Sequence, residues 1–355
     1  MEDVLSRLVE EVETGKRVAL ASLVWSSGSI PMSDRAKMLV LESGELIGTI
    51  GGGCLEADVY AAGQQVLKSG EPYDMRYTMT EKQAGESGLN CGGTVRIYTE
   101  LISPEGTGAL YAKLLEVRSE RKGCVLATEL NGVSRALWGE GHQLLAGEGT
   151  EFDRCLENEI VDEVVSRGRG RTVADASGQR EFFVEPFFPD PVLFVFGGGH
   201  VGGQVATLAK NVGFSVVLID DRPAFANPQR HPSADTCLAG EILEIFPQLA
   251  IDDQSYILAL TRGHQYDEEV VEQAVGSRAR YIGMLGSERK KMVLWKRLRQ
   301  RGISERVLER VYAPVGANIG ADTPEEIAVS IVAELVKVRR GVRKVWKTKK
   351  QDVDV

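Results

Sequence analysis

The stretch VLFVFGGGHVGGQVATLAKNVGFSVVLIDDR, residues 192–222, restricts the fold more than any other part of the chain. An apolar run meets glycines at 197, 199 and 202, a helical segment follows, and a second apolar run ends in an acid. That is the G-x-G-x-x-G pattern in the order strand, loop, helix, strand. Gly197 permits the sharp turn, Gly199 lets a phosphate approach the backbone, and Gly202 lets helix and strand pack closely. The helix start offers free N–H groups and a partial positive charge. Gly197, Gly198, Gly199, His200, Val201 and Gly202 are therefore candidate ligand contacts. Asp220 is placed to meet a ribose. With Asp221 it disfavours a 2′-phosphate, an effect that Arg222 softens. The pattern predicts a nucleotide-type fold without naming its occupant.

Beyond residue 191 the alternation continues. Apolar runs VLFVF, SVVLID, SYILALT and ARYIGML are separated by helical segments, which predicts a Rossmann-like parallel sheet covered on both faces. Ligands of such sheets sit at the carboxyl ends of the strands. Arg262, His264 and Asp267 follow one strand, and Gly286, Ser287 and Arg289 follow the next, so both loops are expected at one crevice. His264 is the one proton-relay candidate among them; a loop hydrogen bond capping the next helix is its ordinary alternative. Thr323, Pro324 and Glu326 have the spacing of a capping box opening a long helix. This domain is expected over 189–338, with a basic, solvated tail at 339–355.

The short FFPDP junction separates it from an α+β domain over 1–188, whose motifs concentrate in 17–100. Val4, Leu5, Leu8, Val9 and Val12 keep helical spacing, and RVALASLVWSSGSIP reads as a strand running into a loop. Two apolar runs around Ser43-Gly44 predict a hairpin. CLEADVYAAGQQVLKSG predicts a helix closed by glycine, and TVRIYTEL a strand. Signals weaken over 101–185, where YAKLLEVRSE reads as helix and GCVLATEL, SRALWG, HQLLAG and EFFVEPF as strands.

Within this half, GTIGGGCLEADV carries Gly51, Gly52 and Gly53 from a strand into a helix that begins near Cys54, with Glu56 inside the first turn. The partial positive charge of such a helix start favours a thiolate, the nucleophilic and metal-binding form. SGLNCGGTVRIY places Cys91 before a second pair of glycines. Cys54 and Cys91 are candidate thiols, and Cys54 is a candidate metal or sulfur contact. The competing reading is a tight turn that tolerates a small, inert residue. Arg35 and Lys37 add possible anion contacts.

The bulk properties exclude several classes. The chain has 355 residues and a net charge of −9, which repels nucleic acid. No apolar run is long enough for a membrane span, and the acidic, amphipathic start does not read as a secretory signal. Five scattered cysteines without a CxxC pair fit reduced thiols in the cytoplasm. Four histidines make no ligand-spaced cluster with them, so no firm metal site is expected.

Taken together, AKMLV, GTIGGGCLEADV and CGGTVRIYTE in the first half resemble the xanthine dehydrogenase accessory factor (XdhC/CoxI) family. VFGGGHVG, LIDDR, TRGHQYDEEV, YIGMLGS and PVGANIGADTPEEIAVSIVAEL do so in the second. The resemblance spans roughly 10–335 in order. It implies a maturation factor that binds the molybdenum cofactor, helps it receive sulfur from a cysteine desulfurase and hands it to a molybdenum hydroxylase client. A homodimer is implied as well. Carried over by position, the cofactor contacts are Gly51, Gly52, Gly53, Cys54, Glu56, Cys91 and the 197–202 loop. Where many relatives have an arginine after S-x-P and a glycine before the A-[KR]-M-L-V run, this chain has Met32 and Arg35. The alternatives are an NAD(P)-dependent oxidoreductase, with Asp220 on the ribose, and a non-catalytic nucleotide-binding docking module.

Overall fold

The structure is a computed structural model that describes residues 4–30, 32–78, 93–148, 158–175, 177–262 and 264–341, with the backbone alone for His264 and Gln265. The chain divides into two compact units, Met1–Pro189 and Asp190–Val355.

The first unit holds two five-stranded antiparallel sheets. One is built from β1 (Val18–Ser27), β2 (Lys37–Leu41), β3 (Leu46–Thr49), β4 (Tyr73–Thr78) and β5 (Thr94–Ile102), in the order β3-β2-β1-β5-β4. The other is built from β6 (Cys124–Leu130), β7 (Arg135–Trp138), β8 (Leu144–Glu148), β9 (Arg171–Ala174) and β10 (Glu181–Phe187), in the order β8-β7-β6-β10-β9. The helix Cys54–Ser69 packs Leu55, Val59 and Val66 on the first sheet. The helix Asn158–Arg167 packs Val161 and Val164 on the second. Two further helices, Val4–Glu13 and Thr107–Ser119, bury Leu5, Leu8, Leu110, Tyr111 and Leu114 in a core that also takes Leu20, Leu39, Leu126 and Leu137 from both sheets.

The expected hairpin is β2–β3, with Gly44 at φ 87°, as its turn requires. Among the strands and α-helices of this unit, β4, β9 and the helix Asn158–Arg167 were not foreseen. The first of these is an edge strand, YDMRYT, with no buried residue; Tyr73, Met75 and Tyr77 alternate with Asp74, Arg76 and Thr78, a period-2 signal too short and too exposed to stand out.

The second unit is a six-stranded parallel sheet of β11 (Val192–Phe196), β12 (Ser215–Asp220), β13 (Thr236–Ala239), β14 (Ser255–Ala259), β15 (Tyr281–Met284) and β16 (Val311–Tyr312). Its order, β13-β12-β11-β14-β15-β16, reverses between β11 and β14, which places the crevice there. Alternate residues of β11 feed two separate cores. Leu193 and Val195 pack under helices His200–Asn211 and Pro324–Arg339, and Phe194 and Phe196 pack under His264–Val275 and Glu288–Gln300. Thr323 and Glu326 form the expected capping box, with Pro324 in the first turn. Among the described residues no helix is long and apolar enough to cross a membrane.

Candidate functional site

In the first unit, Ser27 pairs with Thr94, Thr78 with Thr94, and Lys37 with Thr49. The connections 28–36, 50–53 and 79–93 therefore all leave one end of the first sheet. Gly51, Gly52 and Gly53 have φ of 125°, 81° and 64°, three successive residues in a region that side chains avoid. The triplet is thus fixed by the turn itself, whatever else it does. Gly53 caps the helix, and no side chain takes the cap hydrogen bond. Cys54 stands exposed at this helix start.

Glu56 faces back rather than outward. Its Oε1 accepts from Thr49 Oγ1 at 2.5 Å and from the Ile50 N–H at 3.2 Å, so it ties the loop to the helix. That assigns Glu56 to holding the turn. Met32 lies over Gly51, with Cε 2.5 Å from where a Cβ would stand. A Cβ on Gly93 would lie 2.4 Å from the Ser29 carbonyl oxygen, so Gly93 packs directly against the 27–30 backbone. Cys91 lies outside the described residues.

Lys37 is not an anion contact. It is nine-tenths buried, donating to Glu185 at 2.8 Å and to Ser22 Oγ at 2.9 Å. Arg35 donates to the Gly168 carbonyl oxygen. Sequence reasoning passed over Tyr77, on the side of β4 that packs toward the helix. Burial raises its phenol above the usual range, and Asp58 and Cys54 add to that. The clue available was its apolar neighbour two residues before, Met75, on the same face.

In the second unit, a Cβ on Gly197 would meet the Leu260 carbonyl oxygen at 2.3 Å, and one on Gly202 would meet the Gly197 carbonyl oxygen at 1.9 Å. Those two glycines serve the turn and the helix–strand contact. Gly199 has nothing within 4 Å of a Cβ position, so the loop backbone is open there. His200 is exposed beside it. Val201 packs against the core. A cavity of about 240 Å³ adjoins this helix, lined by His200, Gln204, Thr207, Arg230, His231 and Ser233.

Asp220 is turned inward. It accepts the Gly198 N–H at 2.8 Å and the Arg222 guanidinium at 2.8 and 3.1 Å. Burial pushes its carboxyl up, but the bonds from Arg222 and Gly198 outweigh this and hold it below the ordinary range. Both oxygens are committed, so Asp220 braces the glycine loop instead of presenting itself to a ribose. The Arg222 guanidinium in turn lies 3.6 Å from the Phe225 ring centroid. Asp221 pairs with Arg262 at 2.9 Å, linking the ends of β12 and β14 at the crevice.

Gly286 and Ser287 follow β15. Ser287 caps its helix by accepting the Lys290 N–H. Lys290 reaches the fully buried Asp267, which also accepts from Thr261 Oγ1 at 2.7 Å. Burial raises Asp267 above the usual carboxylate range, with Lys290 and Thr261 acting against it. This pair joins the first turns of the two helices that follow β14 and β15. His264 begins the helix His264–Val275, and its side chain lies outside the described residues. Among the described residues, no group of three or more His, Cys, Asp or Glu gathers as a metal site.

A nucleotide-type parallel sheet and a unit of antiparallel sheets, each with a glycine loop at a helix start, define the class of fold. The description "XdhC and CoxI family" matches residues 12–78, and "XdhC Rossmann domain" matches 193–335, together more than half of the chain. The chain belongs to the XdhC/CoxI family. It is 28% identical over 352 residues to a probable xanthine dehydrogenase component of Bacillus subtilis, covering 95% of this chain and 97% of that one. It is 23% identical to the molybdenum cofactor insertion chaperone PaoD of Escherichia coli, covering 95% and 88%. A crystal structure of a xanthine dehydrogenase from Bacillus halodurans has the same fold, with a TM-score of 0.77 at 24% identity over 96% of both chains.

Proposed function

We propose that this protein is a maturation factor that binds the molybdenum cofactor and delivers it to a xanthine dehydrogenase-type molybdenum hydroxylase. The observation that carries this is the end-to-end alignment with a relative named for molybdenum cofactor insertion, across both units of the chain. The residues present suit such a cargo. A pterin phosphate needs backbone donors in an open turn, and a metal–sulfur centre needs a soft ligand. In this reading Gly51, Gly52 and Gly53 contact the phosphate and Cys54 lines the metal–sulfur end. The Gly197–Gly202 loop is a second anion contact, for the same pterin or for NAD(P). The chain's work is to bind, shield and release, so it is a carrier more than a turnover enzyme. A cysteine desulfurase as sulfur source, a homodimer and a cytoplasmic location complete the proposal.

The oxidoreductase alternative is disfavoured by the relatives. It also loses its expected ribose acceptor, since Asp220 is consumed within the loop. The test is to purify the protein from a host that makes the cofactor, oxidise it and read pterin fluorescence. The carrier reading requires a pterin signal, and repeated blanks would end it. Cys54→Ala should lower retention or transfer while the protein stays folded; unchanged hydroxylase activation would return Cys54 to a structural role. Absence of heat stabilisation by millimolar NAD or NADP would remove the nucleotide from the second loop.

A further inference from the structure

We infer that the first unit is an internal duplication: two copies of one helix-strand-strand-strand-helix-strand-strand module, packed about a pseudo-twofold axis and held together by a matched pair of buried ion pairs. The copies span Val4–Ile102 and Thr107–Phe187. Among the described residues, each begins with a helix, adds three antiparallel strands, crosses by a second α-helix and returns with two strands, and both sheets have the same strand order.

Register makes the equivalence residue by residue. Leu20 pairs with Leu39 on one side and Glu100 on the other, and Leu126 pairs with Leu137 and Glu185. Leu20 therefore corresponds to Leu126, Lys37 to Arg135 and Glu100 to Glu185. The sequences follow: Val18-Ala-Leu-Ala-Ser22 stands against Cys124-Val-Leu-Ala-Thr128. Beyond the strands the match persists. The Leu23 N–H donates to the Ala36 carbonyl at 3.1 Å, and the Glu129 N–H to the Ser134 carbonyl at 2.9 Å. A Cys-Leu-Glu triplet occurs at the start of one crossing helix, at 54–56, and directly before the other, at 155–157.

The contacts between copies obey the same symmetry. Lys37 of the first copy pairs with Glu185 of the second, and Arg135 of the second pairs with Glu100 of the first. All four side chains are about nine-tenths buried, with exposures of 10% and 11% in one pair and 9% and 6% in the other. Val24 and Tyr98 meet their counterparts Leu130 and Phe183 in one cluster. The two leading helices share one core, where Leu8 and Leu114 are fully buried. A two-fold contact buries the same patch on both partners, so each charge in one half finds its complement in the other. The surface carrying Lys37 and Glu100 is thus an interface whose partner is a second copy of the same module.

Two experiments on the full chain test this. Lys37→Met with Glu185→Gln, and Arg135→Met with Glu100→Gln, form two double-mutant cycles read by urea unfolding. Each pair should couple by roughly tenfold in the unfolding equilibrium constant, with the two factors alike in sign and within about fivefold of one another. Coupling at one pair alone, or at neither, overturns the matched interface. A protease site inserted between Pro104 and Glu105 is then cut in the folded protein. The expected result is that both pieces stay in one complex on gel filtration with unchanged circular dichroism. Unfolding on cleavage, or separation of the pieces in native buffer, overturns the assignment of two complete modules.

Discussion

The two copies of the module have the same strands and opposite ends. In the second copy, the short turn 131–134 and the turn at 175–180 are sewn together. Arg180 donates to Glu129 at 2.6 Å and to Ser134 Oγ at 2.7 Å, and Asp175 accepts from Ser177. In the first copy, the counterparts of Glu129 and Ser134 are Leu23 and Ala36, apolar and buried beside Ile30 and Met32. The loop 28–36 is longer, the crossing helix is entered through three glycines, and Cys54 is exposed. One scaffold has therefore been closed by charge at one end and left elaborated over an apolar floor at the other. The difference teaches that the glycine run is not demanded by the module. The second copy reaches its crossing helix through GTEFDRCLE, with a single glycine. It also teaches that Cys-Leu-Glu belongs to both copies and so cannot by itself mark a reactive thiol.

The largest effects should be those the copies share. Leu20→Ala and Leu126→Ala remove equivalent, fully buried side chains, and each should cost about 3 kcal/mol in urea unfolding. A cost confined to one of them would break the equivalence. Next comes the clasp found in one copy only. Its salt bridge and hydrogen bonds with Arg180 and Ser134 hold the Glu129 carboxyl down to about 2. A depressed folded-state value adds stability that is complete above the unfolded carboxylate range and is lost as pH falls through the folded value. Glu129→Gln should therefore cost about 2 kcal/mol near neutrality, with the deficit against the parent shrinking between about pH 4.5 and 2. Pterin retention should be untouched; its loss would place the closed end in the ligand's path.

Gly52→Val sharpens the other side of the comparison. Gly52 sits at φ 81° with nothing within 4 Å of a Cβ position, so the penalty is conformational, about 1–2 kcal/mol. Retained pterin should fall by far more than that loss of stability explains; equal retention would leave the triplet as turn chemistry alone. The smallest change in stability, under about 0.5 kcal/mol, is expected for Cys54→Ala at its exposed position. Its readout is cofactor transfer.

Much of this was legible from residues alone, and for reasons that can be named. The parallel sheet announced itself because buried strands read as continuous apolar runs and its glycine loop as fixed spacing. The hairpin and the Thr323 capping box were legible because each rests on one or two residue types at set offsets. The second copy of the module is not legible as a copy. Its turns are drawn together by side-chain bonds of Glu129, Arg180 and Asp175, which no linear pattern displays, and its crossing helix buries only Val161 and Val164. At the site, the sequence turns Glu56 and Asp220 toward a ligand and offers Lys37 as an anion contact. Each makes hydrogen bonds inside the fold, with a partner that no linear pattern displays: the Ile50 N–H, the Gly198 N–H and the Glu185 carboxylate of the other copy.

The exposure of Cys54 has a practical consequence. Among the described cysteines, burial pushes the Cys124 thiol up to about 12 and raises Cys237 as well, which slows both toward an alkylating reagent near neutral pH. With Cys91 and Cys155 replaced, Cys54 becomes a single-point chemical reporter at the mouth of the glycine turn. A fluorophore attached there would let the arrival and departure of cargo be followed in real time, by a change in signal rather than by activity of a downstream enzyme.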